Sequence, residues 1–120
     1  TFETEGDQYW MGLHFFSGGI MPSEDLFLRY QRDMTVRQRW WIDGRHYART
    51  CEQWLSRLDH RESDAGRVLA AGSSIDSTKI LVQRWRMFFM ACAELFRFER
   101  GSQWGVGHYL FDKTDFAEPE

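Results

Sequence analysis

At 120 residues the chain allows one domain at most, with a modest core. A formal charge of -3 leaves no basic excess for gripping nucleic-acid phosphates, and the longest apolar run, Met87 to Ala93, falls far short of a membrane span. Aromatic residues make up 17%, with six Trp and ten Phe, which points to an aromatic-lined cavity or to a large surface awaiting a partner.

The first stretch reads as a loop, a short helical turn around Tyr9–Phe16, and a second loop at Gly18-Gly19. Pro22-Ser23-Glu24-Asp25 then predicts a helix running to about Arg32, with Ser23 as N-cap and two carboxylates suiting the helix dipole. Val36 to Ile42 alternates and predicts a strand. Asp43-Gly44 breaks it. From about Arg45 to His60 the apolar positions Tyr47, Cys51, Trp54 and Leu58 recur at four, three and four, which is an amphipathic helix.

A short, weak helix over Asp64 to Ala71 and a flexible joint at Gly72-Ser73-Ser74 follow. The spacing of Leu81, Trp85, Phe88, Cys92 and Leu95 predicts a long, mostly buried helix from Asp76 to Phe98, punctuated by Gly101. Gln103 to Phe111 reads as the last strand, with Trp104, Val106, His108 and Leu110 on one side and a loose acidic tail from Asp112. Two strands make an uncomfortable sheet for so much apolar surface. The chain opens on Thr1-Phe2-Glu3, without an initiator Met or signal-peptide pattern, and reads as the last third of an α/β protein.

Chemistry narrows the candidates. His14, His46, His60 and His108 stand at no ligand spacing with one another or with a cysteine, so no metal is expected. Cys51 and Cys92 are far apart, each inside a helical pattern, and read as buried cytosolic thiols rather than a disulfide. Gly18-Gly19 lacks a preceding strand, and Gly105-Val106-Gly107 lacks a following helix, so neither is a nucleotide fingerprint. The helix mouth at Gly44–Tyr47 is the better site. Free N–H groups there can hold a small anion, with a hydroxyl from Tyr47 and a proton-carrying imidazole from His46. The plainer reading leaves Tyr47 in the core and His46 in solvent. Trp85, Arg86, Phe88 and Phe89 occupy one turn of the long helix, either as ordinary core or as an aromatic wall able to hold a cation. Trp85 and Phe88 share a face, and Phe89 should turn toward helix 45–60 or the sheet. Glu94 and Asp43 are the candidate partners for Arg86.

Four strings, in order, carry a resemblance: "WMGLHFFSGGIMPSEDLF", "GRHYARTCEQWLSRLD", "QRWRMFFMACAELF" and "WGVGHYLF". Together they resemble the C-terminal part of the cyclopropane-fatty-acyl-phospholipid synthase family. Coclaurine N-methyltransferases belong to the same superfamily of S-adenosylmethionine-dependent methyltransferases. The match departs around Arg61–Lys79. The resemblance implies an α/β fold, the C-terminal portion of a class I, Rossmann-like, seven-stranded methyltransferase, with its last two strands antiparallel. Residues 1–120 would be part of a single methyltransferase domain, with the S-adenosylmethionine-binding residues upstream. Tyr47 matches a tyrosine that helps hold bicarbonate in synthases of this family. Trp85, Phe88 and His46 would line the substrate site. The favoured activity is methylene transfer to an unsaturated phospholipid acyl chain. The alternatives are methylation of a small amine and a non-catalytic binding module. The expected setting is cytoplasmic, with room for peripheral membrane contact and a homodimer.

Overall fold

The structure is a computed structural model and describes residues 10–16, 19–72 and 77–114. Tyr9, Gly18, Ser73, Ser74 and Asp76, which bear on the expectations above, lie outside these residues. In chain order the main elements are α1 (Trp10–His14), β1 (Met34–Asp43), α2 (Gly44–His60), α3 (Glu62–Ala71), α4 (Thr78–Arg97) and β2 (Gly105–Lys113). β1 and β2 form a two-stranded sheet. Its pairing is antiparallel, as expected. Thr114 N–H donates to the Asp33 carbonyl, and Arg37 meets Asp112, so positions advance along one strand as they retreat along the other. The chain divides into two compact units, Trp41–Val106 and Thr1–Trp40 with Gly107–Glu120.

The unit Trp41–Val106 holds the core. Asp43 does not merely end the strand. Its carboxylate accepts the Arg45 backbone N–H at 2.8 Å, and so caps α2. The stripe read at 47, 51, 54 and 58 does face α4. Ala48, Cys51, Cys92 and Ala93 are all buried, and small residues at a crossing let two helices approach closely. Tyr47 meets Phe96 and Trp54 meets Phe89, so early α2 lies against late α4 and the hairpin is antiparallel. Two ion pairs tie the same helices, Asp59 with Arg86 at 2.7 Å and Glu52 with Arg97. The partner of Arg86 is therefore neither Glu94 nor Asp43. It was not readable because it depends on the register between helices.

α3 packs on α4 where Gly66 is buried; a Cβ there would run into the Thr78 methyl. α4 begins at the Ser77 cap, whose hydroxyl accepts the Ile80 N–H. It ends in a 3-10 turn over Phe98–Gly101, with Glu99, Arg100 and Gly101 all at positive φ. Glycine is required at the third position. At φ 80, a side chain would be strained and would collide with the Asp43 carboxylate and the Arg45 N–H.

The other unit has no buried residue among those described. The helix expected from Ser23 to Arg32 is only a 3-10 turn, Leu26–Arg29. Ser23 spends its hydroxyl on the Asp25 carboxylate instead of capping a backbone N–H, and Arg29 holds the same carboxylate. Side-chain bonds of this kind compete with helix. β2 also differs from expectation. His108 and Leu110 are exposed, while Tyr109 and Phe111 are half-buried against Phe27, at ring distances of 5.0 and 5.8 Å. Local aromatic cover, not the apolar alternation, selects that face. Asp112 and Lys113 continue the strand rather than begin a tail, and residues 115–120 lie outside the described set.

Candidate active-site wall

Tyr47 enters from the first turns of α2 and points into the seam with α4. Its ring stands edge-on to Phe96, 4.6 Å between centroids at 88°, and edge-on to Trp54 at 6.0 Å. Its hydroxyl is in hydrogen-bond reach of the Cys51 thiol, one turn along the same helix. Burial raises the tyrosine pKa above its ordinary value of 10.0, so the phenol stays a neutral donor. Burial likewise raises both thiols, Cys92 to about 11. These cysteines are free and buried, and as protonated thiols they are poor nucleophiles.

His46 is exposed, one residue from Tyr47 and turned away from the seam. Its field, with the much stronger hydrogen bonds from Arg45, bears on Asp43. The Arg45 side chain closes on that carboxylate at 3.0 and 2.8 Å, and its pKa falls from 3.8 to about 2. The small anion expected at this helix mouth is thus one the chain supplies itself. A bicarbonate at this mouth would face the Asp43 charge, so the mouth itself does not favour that anion.

Trp85, Phe88 and Phe89 form a mutual cluster, with ring distances of 5.5, 5.7 and 5.7 Å. Phe89 turns to α2, as its spacing predicts, and touches Trp54 at 5.8 Å. A continuous aromatic row therefore runs from Phe96 through Tyr47, Trp54 and Phe89 to Trp85 and Phe88. The structure brings Tyr47, Trp85 and Phe88 into this row, and His46 lies outside it. Sequence reasoning missed Trp54 and Asp43 as members of the site region. Trp54 was legible as part of the 47-51-54-58 stripe but was assigned to core. Asp43 stands directly before the helix, the position of a cap, although the sequence suggests only a turn residue or a partner for Arg86.

A cleft of about 540 Å³ lies elsewhere, between α3 and α4, lined by Ser63, Gly66, Arg67, Thr78, Lys79 and Val82 among others. Among the described residues no three His, Cys, Asp or Glu side chains gather as a metal-ligand set. Nor is any helix among them long and apolar enough to cross a membrane.

The fold so built is that of part of a methyltransferase. A crystal structure of coclaurine N-methyltransferase bound to N-methylheliamine and SAH superposes on 91% of the chain with a TM-score of 0.71 and 30% identity, using 32% of that protein. In sequence the chain is similar to (S)-coclaurine N-methyltransferase of Thalictrum flavum subsp. glaucum, 32% identical across 93% of the chain. The Papaver somniferum enzyme of the same name is 30% identical over the same share. (S)-Tetrahydroprotoberberine N-methyltransferase of Eschscholzia californica is 27% identical across 94%. The chain spans about a third of the length of these relatives, 32% and 33%. No protein-family model matches it.

Proposed function

We propose that the chain is the C-terminal part of an S-adenosylmethionine-dependent N-methyltransferase domain acting on a small amine, with its cofactor-binding part on other residues of a longer protein. The observation that carries this reading is the aromatic row of α2 and α4, set in a fold shared with N-methyltransferases over nearly the whole chain. The names of the relatives, which are those of N-methyltransferases, support this reading better than the acyl-chain reading that the sequence favoured.

Bound S-adenosylmethionine would supply an electrophilic sulfonium methyl for an amine lone pair to attack. This chain's residues shape the surroundings of the acceptor. Trp85 and Phe88 exclude water from one side of the acceptor, which keeps its nitrogen unsolvated and nucleophilic. Their π faces favour the positive charge that nitrogen gains as the carbon–nitrogen bond forms and the carbon–sulfur bond breaks. Tyr47 holds the seam through its ring, edge-on to Phe96, and its neutral hydroxyl carries no proton away. Bicarbonate has no part in this reading.

Incubation of the full-length protein with labelled S-adenosylmethionine, against a panel of cyclic amines and against phospholipid vesicles rich in unsaturated chains, is the test. Label should enter an amine, at a rate unchanged by added bicarbonate. Label in acyl chains alone would restore the lipid reading, and label in neither would favour a non-catalytic module.

A further inference from the structure

Cys51 and Cys92 lie far apart in sequence, and the α2–α4 hairpin brings them together. The ring contacts set the register. Tyr47 meets Phe96 and Trp54 meets Phe89, so seven residues forward along α2 match seven residues back along α4. Four forward from Tyr47 is Cys51, and four back from Phe96 is Cys92. Both side chains lie in the seam. They are 1% and 5% exposed, and each thiol is in hydrogen-bond reach of the other. A disulfide demands closely spaced backbones. Ala48 and Ala93, buried beside the two cysteines, keep bulk out of the crossing. Both thiols are free, and neither has a part in the proposed methyl transfer.

We propose that Cys51 and Cys92 are an oxidative modification site: a small hydroperoxide, hydrogen peroxide being the simplest, joins them in a disulfide that staples α2 to α4. One sulfur attacks a peroxide oxygen and becomes a sulfenic acid as the oxygen–oxygen bond breaks and water leaves. The other sulfur then displaces the sulfenic oxygen, which leaves as a second water when the sulfur–sulfur bond forms. The two thiols give up two protons and two electrons, and the peroxide takes them up. Burial keeps both thiols protonated, so the reaction is slow and waits on local opening of the hairpin. The staple closes a loop that contains α3, which restricts the unfolded chain and favours the folded hairpin.

The experiment treats the full-length protein with hydrogen peroxide in the absence of denaturant, blocks the remaining thiols with iodoacetamide, and digests with trypsin without reductant. Mass spectrometry should find peptides 50–57 and 87–97 joined, and dithiothreitol should part them. The oxidised protein should unfold at a higher urea concentration than the reduced protein. Cys92→Ala should lose both the joined peptides and the peroxide-dependent shift, while its urea transition in the reduced state shows that it is folded. If that variant has no such transition, Cys51→Ala takes its place. Two thiols left unmodified, each sulfur oxidised singly, or either cysteine joined mainly to a thiol elsewhere in the protein would overturn the proposal. So would a joined pair that lowers the urea midpoint, since strain would then outweigh the constraint on the unfolded chain.

Discussion

The two units of the chain solve the problem of apolar surface differently. In Trp41–Val106, Ala48, Cys51, Val82, Cys92, Ala93 and Phe96 are all buried, because three helices can turn their stripes on one another. The strand-rich unit buries none of its described residues, and Met34, Leu28, Leu110 and Tyr30 remain in contact with solvent. A helical hairpin closes its own core. Two strands and a 3-10 turn cannot, because half of every strand faces the wrong way for its only neighbours. Chemistry follows packing here: the aromatic row belongs to the unit rigid enough to hold it.

The largest test of this contrast is a pair of truncations. Phe96→Ala should cost about 3–5 kcal/mol, since it removes a ring that is 8% exposed and leaves a cavity under Tyr47. Leu110→Ala should stay within about 0.5 kcal/mol. Urea titration of both variants gives the two numbers, and comparable losses would deny that the core is confined to the helices.

A second effect is confined to acid. The Asp43 carboxylate is held at about 2, below its ordinary 3.8, by Arg45 and the backbone N–H it caps. Its contribution to stability is therefore complete above about pH 4 and drains away as pH falls through about 2. Asn at position 43 still caps but does not titrate. Followed by circular dichroism, wild type should lose stability between pH 4 and 2 more steeply than Asp43→Asn. Parallel curves would show that the cap contributes nothing.

The smallest difference lies among the ion pairs. Asp59→Asn, which breaks the 2.7 Å pair between α2 and α4, should cost at most about 1 kcal/mol, and less in high salt. Asp112→Asn, removing the looser 3.7 Å contact with Arg37 on the sheet, should have no measurable effect on the urea midpoint. A larger loss at Asp112 than at Asp59 would reverse the comparison.

Periodicity made the helices legible. Tyr47, Cys51, Trp54 and Leu58 marked α2, and the Leu81–Leu95 stripe marked α4, because both helices bury one face against a neighbour in the same chain. The alternation at 36–42 also marked β1, although on that face only Val36 and Ile42 are half-buried. The same logic failed where side chains bond locally. Ser23 had the residue type of a cap, but its hydroxyl was claimed by Asp25. It failed again on β2, where Phe27, distant in sequence, chose the inward face. At the site, residue type pointed to Tyr47, Trp85 and Phe88. Their arrangement into a row required the α2–α4 register, which no single helix encodes.

The ladder between β1 and β2 joins segments that flank all three longer helices. Pairing them means closing a loop of roughly sixty residues, an entropic toll of about 4 kcal/mol that helix formation does not meet. The order of assembly follows. The helices should condense first, and the strands pair once the intervening chain is compact. During synthesis the ladder cannot be complete until Lys113 has left the ribosome, whereas α2 and α4 are complete sooner. The ladder buries less than the hairpin, so amide protons of β1 and β2 should exchange with solvent before those at the Cys51–Cys92 level.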